Sequence, residues 1–191
     1  MPDETKETKK KPGSWSVVRK HLATWDKAAL IGLVKDIYEA AGTNRDFIQA
    51  RCNAEEGDVS LANYKKRVVD QFYPARGEAK LKLGEARKAI REYHKATGNI
   101  PGTIELLLTF SEAGAKFTND FGDIDDRFYG SLCSAMDELA DLIISEGEEA
   151  WGAVSTRMEK LANSTNGIGW GYGDYVGDVF VELCQHFSSP V

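Results

Sequence analysis

The sequence of 191 residues has three cysteines, five prolines and no long apolar run. Cys52, Cys133 and Cys184 are odd in number and far apart, and none belongs to a C-x-x-C pair. We therefore expect neither a disulfide framework nor a thiolate zinc site. No apolar run approaches the ~20 residues that a membrane span needs, and the polar N-terminus has no apolar signal core. These absences predict a protein of a reducing, bacterial-type cytoplasm.

Recognisable catalytic patterns are also absent from the sequence. His21, His94 and His186 have no metal-ligand spacing, and no H-E-x-x-H pattern occurs. No histidine is singled out as the base of a nucleophile–base pair. The sequence favours a protein without catalytic activity or cofactor, although it leaves an enzymatic role open.

Charge is unevenly distributed along the chain. Residues 64–95 contain ten basic and four acidic side chains, whereas residues 96–191 contain four basic and sixteen acidic ones. The whole chain has a formal net charge of −6. The simplest interpretation is that the basic segment lies against the acidic half of the same molecule. Alternatively, each surface faces a separate partner of opposite charge.

Apolar spacing predicts an all-α protein. Residues 1–14 are rich in lysine, glutamate and threonine, so we expect a disordered charged tail there. Residues 15–191 are predicted to form a single all-helical domain. We expect about nine antiparallel helices, arranged as a helical-hairpin array or a short solenoid-like bundle.

The stretch 26–41 shows the helical pattern most clearly. Asp26 is a predicted N-cap, and Gly42 is predicted to end the helix. The apolar residues recur at the i, i+3, i+4, i+7 spacing of one helix face. They are Leu30, Ile31, Val34, Ile37, Tyr38 and Ala41.

The stretch 117–129 places acidic and aromatic residues around one glycine. Its four aspartates are Asp120, Asp123, Asp125 and Asp126. They could bind a hard cation such as Mg²⁺ or Ca²⁺, but their spacing is not that of an EF-hand. The favoured interpretation is helix capping, with Asp123 or Asp125 at the N-cap. The aromatic rings at positions 117, 121, 128 and 129 are expected to lie in the core.

The stretch 163–174 contains four alternating glycines, two of which flank Trp170. A phosphate-binding loop would follow a strand, whereas this stretch follows a predicted helix. Trp170 and Tyr172 either fill the core or form a partner-binding rim together with Asp174. The second interpretation rests on the frequency of such rings at the energetic centres of interfaces.

A basic stripe is predicted on one helix of the segment 64–95. It comprises Arg87, Lys88, Arg91 and Lys95, with tyrosines interleaved in the segment. Lysines and arginines can follow a phosphate backbone while tyrosines stack on bases. Nucleic-acid binding is therefore an alternative function, although no known recognition motif is present.

Four blocks of the sequence resemble a bacterial family of small helical proteins whose function is unknown. They are residues 73–80, 117–124, 128–129 and 167–174. The resemblance covers about residues 16–187 and implies an all-helical fold and a bacterial origin. The helical pairs are more faintly similar to the helical region that follows SWIM-type zinc fingers, without its zinc-binding cysteines. Arg76, Gly77 and Lys80 belong to the shared pattern.

Taken together, these features predict a non-catalytic protein-interaction or adaptor domain. The expected contact surface comprises Trp170, Tyr172, Asp174, Arg76 and Lys80, and the partner is expected to be another protein. We also expect Arg76 or Lys80 to pair with an aspartate of residues 120–126. The alternatives are a nucleic-acid-binding accessory protein that uses residues 64–95, and a metal-dependent hydrolase built on residues 120–126.

Overall fold

A computed structural model describes residues 13–52 and 57–188, except for the side chains of 57–59. Nine α-helices and no strand lie within these residues, which confirms the all-helical prediction. The predicted tail falls almost entirely outside the described residues. The helices are α1 Trp15–Leu22, α2 Lys27–Ala40, α3 Gly42–Cys52, α4 Gly57–Val69, α5 Leu83–Thr97, α6 Ile100–Phe121, α7 Asp126–Glu146, α8 Glu148–Ser164 and α9 Tyr172–Ser188.

The chain divides into two compact units. The first ends at Arg45 and the second begins at Asp46, within α3. The predicted single domain, residues 15–191, spans this boundary.

The first unit contains α1 and α2. The Asp26 carboxylate caps α2 by accepting a hydrogen bond of 2.7 Å from the Ala29 N–H. The Asn44 side chain donates to the Ile37 carbonyl at 2.9 Å, which closes the turn after α2. Neither helix contains a buried residue. The apolar stripe of α2 is exposed: Leu30, Ile31, Val34 and Ile37 are 36–58% exposed.

The second unit is built around α6. Asn99 caps this helix by accepting from the Gly102 N–H at 2.8 Å, and Pro101 lies in its first turn. The helix is apolar on most of its circumference, as expected of a helix enclosed by others. It packs against α4, α5, α7 and α8, and α9 covers α7 and α8. The hydrophobic core is therefore formed by helices of the second unit.

Two glycines of α6 allow its neighbours to approach closely. A Cβ at Gly102 would overlap with the Tyr93 ring of α5, and one at Gly114 would overlap with the Leu132 side chain of α7. Larger residues there would separate the helices or displace those side chains. In the part of the chain that the structure describes, no helix is both long and apolar enough to cross a membrane.

Candidate functional site

The two glycine-bearing stretches meet in the folded chain. The Asn119 side chain donates to the Ser164 carbonyl at 2.9 Å, and the Gly169 N–H donates to the Asp123 carboxylate at 3.3 Å. These bonds join positions more than forty residues apart in sequence. We call residues 119–125 and 164–171 together the double-loop site.

Asp120 is held at the end of α6. The helix extends to Phe121, and Gly122 follows with a φ of 89°. The Asp120 carboxylate accepts from the Lys116 ammonium and from the Tyr73 hydroxyl at 2.8 Å. Both hydrogen bonds lower the pKa of the Asp120 carboxyl, and the bond from Lys116 has the larger effect. The Lys116 ammonium also lies 4.6 Å from the centre of the Tyr73 ring.

Asp123 connects the two halves of the double-loop site. Its Oδ1 accepts from the Tyr129 hydroxyl at 2.8 Å and from the Gly169 N–H. Burial, aided by the hydrogen bond to Asp123, raises the pKa of Tyr129, so this phenol remains a donor. A Cβ at position 169 would overlap with the Asp123 carboxylate. Glycine at this position therefore permits the close approach of the two stretches.

Trp170 is exposed and packs against one ring of the core. It has a φ of 60°, which is uncommon for a bulky residue, and its side chain is 62% exposed. Its indole stacks on the Tyr129 ring, with centroids 6.4 Å apart and planes inclined by 27°. Tyr129 in turn packs against Tyr172 at 5.6 Å. One face of the indole is thus supported by rings that belong to the core.

Phe121 is a second exposed ring in the double-loop site. Its ring packs on Phe117 at 4.6 Å and on Tyr73 at 6.4 Å, yet the residue is 66% exposed. The sequence-based placement of Phe121 in the core is therefore wrong, whereas Phe117, Phe128 and Tyr129 are buried as expected. Position 121 follows 117 by one helical turn, so the helix pattern alone does not distinguish the exposed ring from the buried one.

Not all of the other predicted partner-binding residues are exposed at the double-loop site. Tyr172 is 1% exposed and belongs to the core, which corrects its assignment to a contact rim. Asp174 is exposed in the first turn of α9. Arg76 and Lys80 are exposed, but neither forms an ion pair within the described ranges. The expected pairing with an aspartate is therefore wrong, because Tyr73 and Lys116 occupy Asp120 instead.

The four aspartates serve different structural roles. Asp125 caps α7 by accepting from the Phe128 N–H at 2.8 Å, as predicted, and Asp126 lies in the first turn. Asp120 and Asp123 have the separate partners described above. Among the residues that the structure describes, no group of three or more histidine, cysteine, aspartate or glutamate side chains is arranged to hold a metal ion. These carboxylates hold the local backbone in place.

The predicted basic stripe is divided between two environments. Arg87 points toward the interior, pairs with Glu138 of α7 at 2.8 Å and lies over the Phe110 ring. Lys88 lies 4.0 Å from Glu92 on the same helix. Arg91 and Lys95 are exposed. The ion pairs of Arg87 with Glu138 and of Lys65 with Glu105 show basic side chains of residues 64–95 lying against the acidic half.

Comparisons with protein-family models, curated proteins and solved structures find no match to this chain. The resemblance to an uncharacterised bacterial family stays a prediction.

Proposed function

We propose that this chain is a non-catalytic protein-interaction domain whose contact surface is the double-loop site. The observation that supports this function best is the exposed indole of Trp170, which stacks on the Tyr129 ring. Tryptophan is among the residues that contribute most to the affinity of protein interfaces.

The surroundings of Trp170 reduce the entropy lost on binding. The Tyr129 ring stacks on the indole, and Asp123 fixes both the Tyr129 hydroxyl and the Gly169 backbone. Each rotamer-rich side chain immobilised at an interface costs about 0.5–1.5 kcal/mol. Because this geometry exists before binding, most of that cost is met during folding.

The remainder of the double-loop site has the composition of an interface. Phe121 offers a second exposed ring, and Asp174, which follows the site in the first turn of α9, provides a carboxylate. Apolar anchors with a polar rim are typical of protein-binding surfaces. The proposed partner is another protein, and the proposed setting is an adaptor role in the cytoplasm.

The test compares two tryptophan variants of the tagged full-length chain in cells that naturally produce it. Trp170→Ala removes the proposed anchor, whereas Trp15→Ala removes an equally exposed tryptophan from α1. Proteins that co-purify are quantified by mass spectrometry. We expect one or a few partners to fall by about tenfold or more with Trp170→Ala and to be unchanged with Trp15→Ala.

Circular dichroism of both variants completes the test. If Trp170→Ala retains its fold and all its co-purifying proteins, the proposed contact surface is wrong. If this variant unfolds, Trp170 serves the core, and the proposal is likewise wrong.

A further inference from the structure

A second surface lies between α7 and α9, at residues outside the double-loop site. It is a groove of about 480 Å³. Each helix contributes four residues at the i, i+3, i+4, i+7 spacing of one helix face. They are Asp137, Ala140, Asp141 and Ile144 from α7, and Val179, Glu182, Leu183 and His186 from α9.

The groove has an apolar floor and acidic edges. Leu183 and Val179 are buried at its base, whereas Ile144 is 43% exposed. Asp141 and Glu182 are exposed and form no ion pair within the described part of the chain. Helix α9 contains three acidic residues and neither lysine nor arginine. The negative charge at the edges is therefore not neutralised locally.

We propose that this groove binds a basic amphipathic helix of another protein. Apolar side chains on one face of that helix would pack on Ile144, Val179 and Leu183. Lysine or arginine side chains beside them would face Asp141 and Glu182. This is the helix-in-groove mode of recognition, with complementary charge selecting the partner. The groove extends over eight residues of each helix, about 10 Å from first to last, and so accommodates about two turns of the bound helix.

Charge also argues against a second copy of this chain as the occupant. A symmetric contact would place the same acidic edges of two molecules opposite each other. Like charges juxtaposed at an interface oppose binding. A basic helix would instead neutralise the acidic edges of the groove, which belong to the acidic half of the chain, residues 96–191.

The probe is an 18-residue synthetic helix with leucines on one face and lysines beside them. Two control peptides replace the lysines by glutamate or scramble the order of the residues. Nuclear magnetic resonance of the full-length chain records both the affinity and the residues that respond. We expect shifts concentrated on 137–144 and 179–186, weaker binding at higher salt, and no binding of the glutamate peptide.

Two charge-reversal variants locate the effect, a double one in the groove and a single control outside it. The double variant Asp141→Lys, Glu182→Lys reverses the charge of the groove edges, and Glu159→Lys does so at an exposed position of α8. We expect the double variant to weaken lysine-peptide binding by about tenfold or more, and Glu159→Lys by less than about twofold.

Several outcomes would overturn this proposal. They are shifts that map elsewhere, equal binding of the scrambled peptide, or equal weakening by Glu159→Lys. A dimer that dissociates when Asp141 and Glu182 are reversed would assign the groove to a second copy instead. Because these residues lie outside the double-loop site, none of these outcomes depends on Trp170.

Discussion

At the scale of single residues, Asp123 determines the geometry of the double-loop site. One carboxylate oxygen accepts from a phenol of α7 and from a backbone N–H of the glycine-rich stretch. The second donor is the N–H of Gly169. This contact requires glycine, because a Cβ at position 169 would overlap with the Asp123 carboxylate.

Gly169→Ala is expected to destabilise the second unit by about 1–3 kcal/mol. The added methyl group displaces the Asp123 carboxylate and breaks its hydrogen bonds to Tyr129 and Gly169. Gly152→Ala is the matched control, because nothing lies near a Cβ at this helical position. It should stabilise α8 by about 0.5–1 kcal/mol. Urea denaturation measures both, and equal effects would contradict the proposed role of Gly169.

Two tyrosines provide a second comparison at this scale. The Tyr129 hydroxyl donates to Asp123, whereas the buried Tyr172 hydroxyl has no hydrogen-bond partner among the described residues. Tyr129→Phe should cost about 1 kcal/mol at neutral pH, and Tyr172→Phe should be close to neutral or stabilising. If Tyr172→Phe were the costlier change, the assignment of the two hydroxyls would be wrong.

Two buried phenols, those of Tyr64 and Tyr172, predict sensitivity to alkali. Burial raises the pKa of Tyr64 to about 12 and also raises that of Tyr172. Above pH 10 the unfolded chain loses these protons while the folded chain keeps them, so stability is complete below pH 10 and falls as the pH rises. Tyr172→Phe should reduce this fall in denaturant titrations between pH 9 and 11. An unchanged pH profile in this variant would contradict the assignment.

Sequence alone predicted some of these residue-scale features. The Asp125 cap could be predicted because a cap depends on residues three positions apart. The contact between Asp123 and Gly169 could not, because it depends on how distant helices pack. The expected partners of the aspartates, Arg76 and Lys80, were wrong for the same reason: the packing of Tyr73 against Phe117 directs a phenol toward Asp120.

At the scale of helices, Arg157 links α8 to α6. Its guanidinium donates to Glu112 at 2.7 and 2.9 Å and also to Glu105. Burial tends to raise the pKa of Glu105, but hydrogen bonds from Lys65 and Arg157 outweigh it, so the pKa is lowered. Three helices, α4, α6 and α8, are thus joined through one carboxylate.

Arg157→Met should therefore destabilise the fold by about 1–2 kcal/mol, since it leaves two carboxylates with one cation fewer. The control is Lys66→Met, which removes the ion pair between the last turn of α4 and Asp70 just after it, and should change stability by less than about 0.5 kcal/mol. Thermal unfolding of both variants provides the measurement. Equal small effects would show that the α6–α8 pairing contributes no more than a surface ion pair.

Helix positions were largely predictable, whereas the exposure of their faces was not. The caps at Asp26 and Asp125 have local signatures, so both helices begin as predicted. The stripe on α2 has the spacing of a buried face and is nonetheless exposed. Spacing identifies an amphipathic helix, but it does not identify what covers the helix.

At the scale of the whole molecule, the buried residues lie within the second unit. They begin at Ala50, and α1 and α2 contain none. A fragment that begins at Gly42 should therefore unfold cooperatively, with a helical signal reduced by about the share of the two missing helices. Circular dichroism during urea titration tests this. An unfolded fragment would contradict the placement of the core in residues from Ala50 onward.

The central claim is that the double-loop site binds another protein through Trp170. The most direct measurement places a photo-crosslinking benzophenone amino acid at position 121, where it replaces an exposed ring. The control places the same amino acid at position 159, an exposed position of α8. Irradiation of the producing cells is predicted to give a discrete adduct with another protein at 121 and none at 159. Adding Trp170→Ala should abolish the adduct. No adduct at 121, or one that survives Trp170→Ala in the folded chain, would contradict the claim.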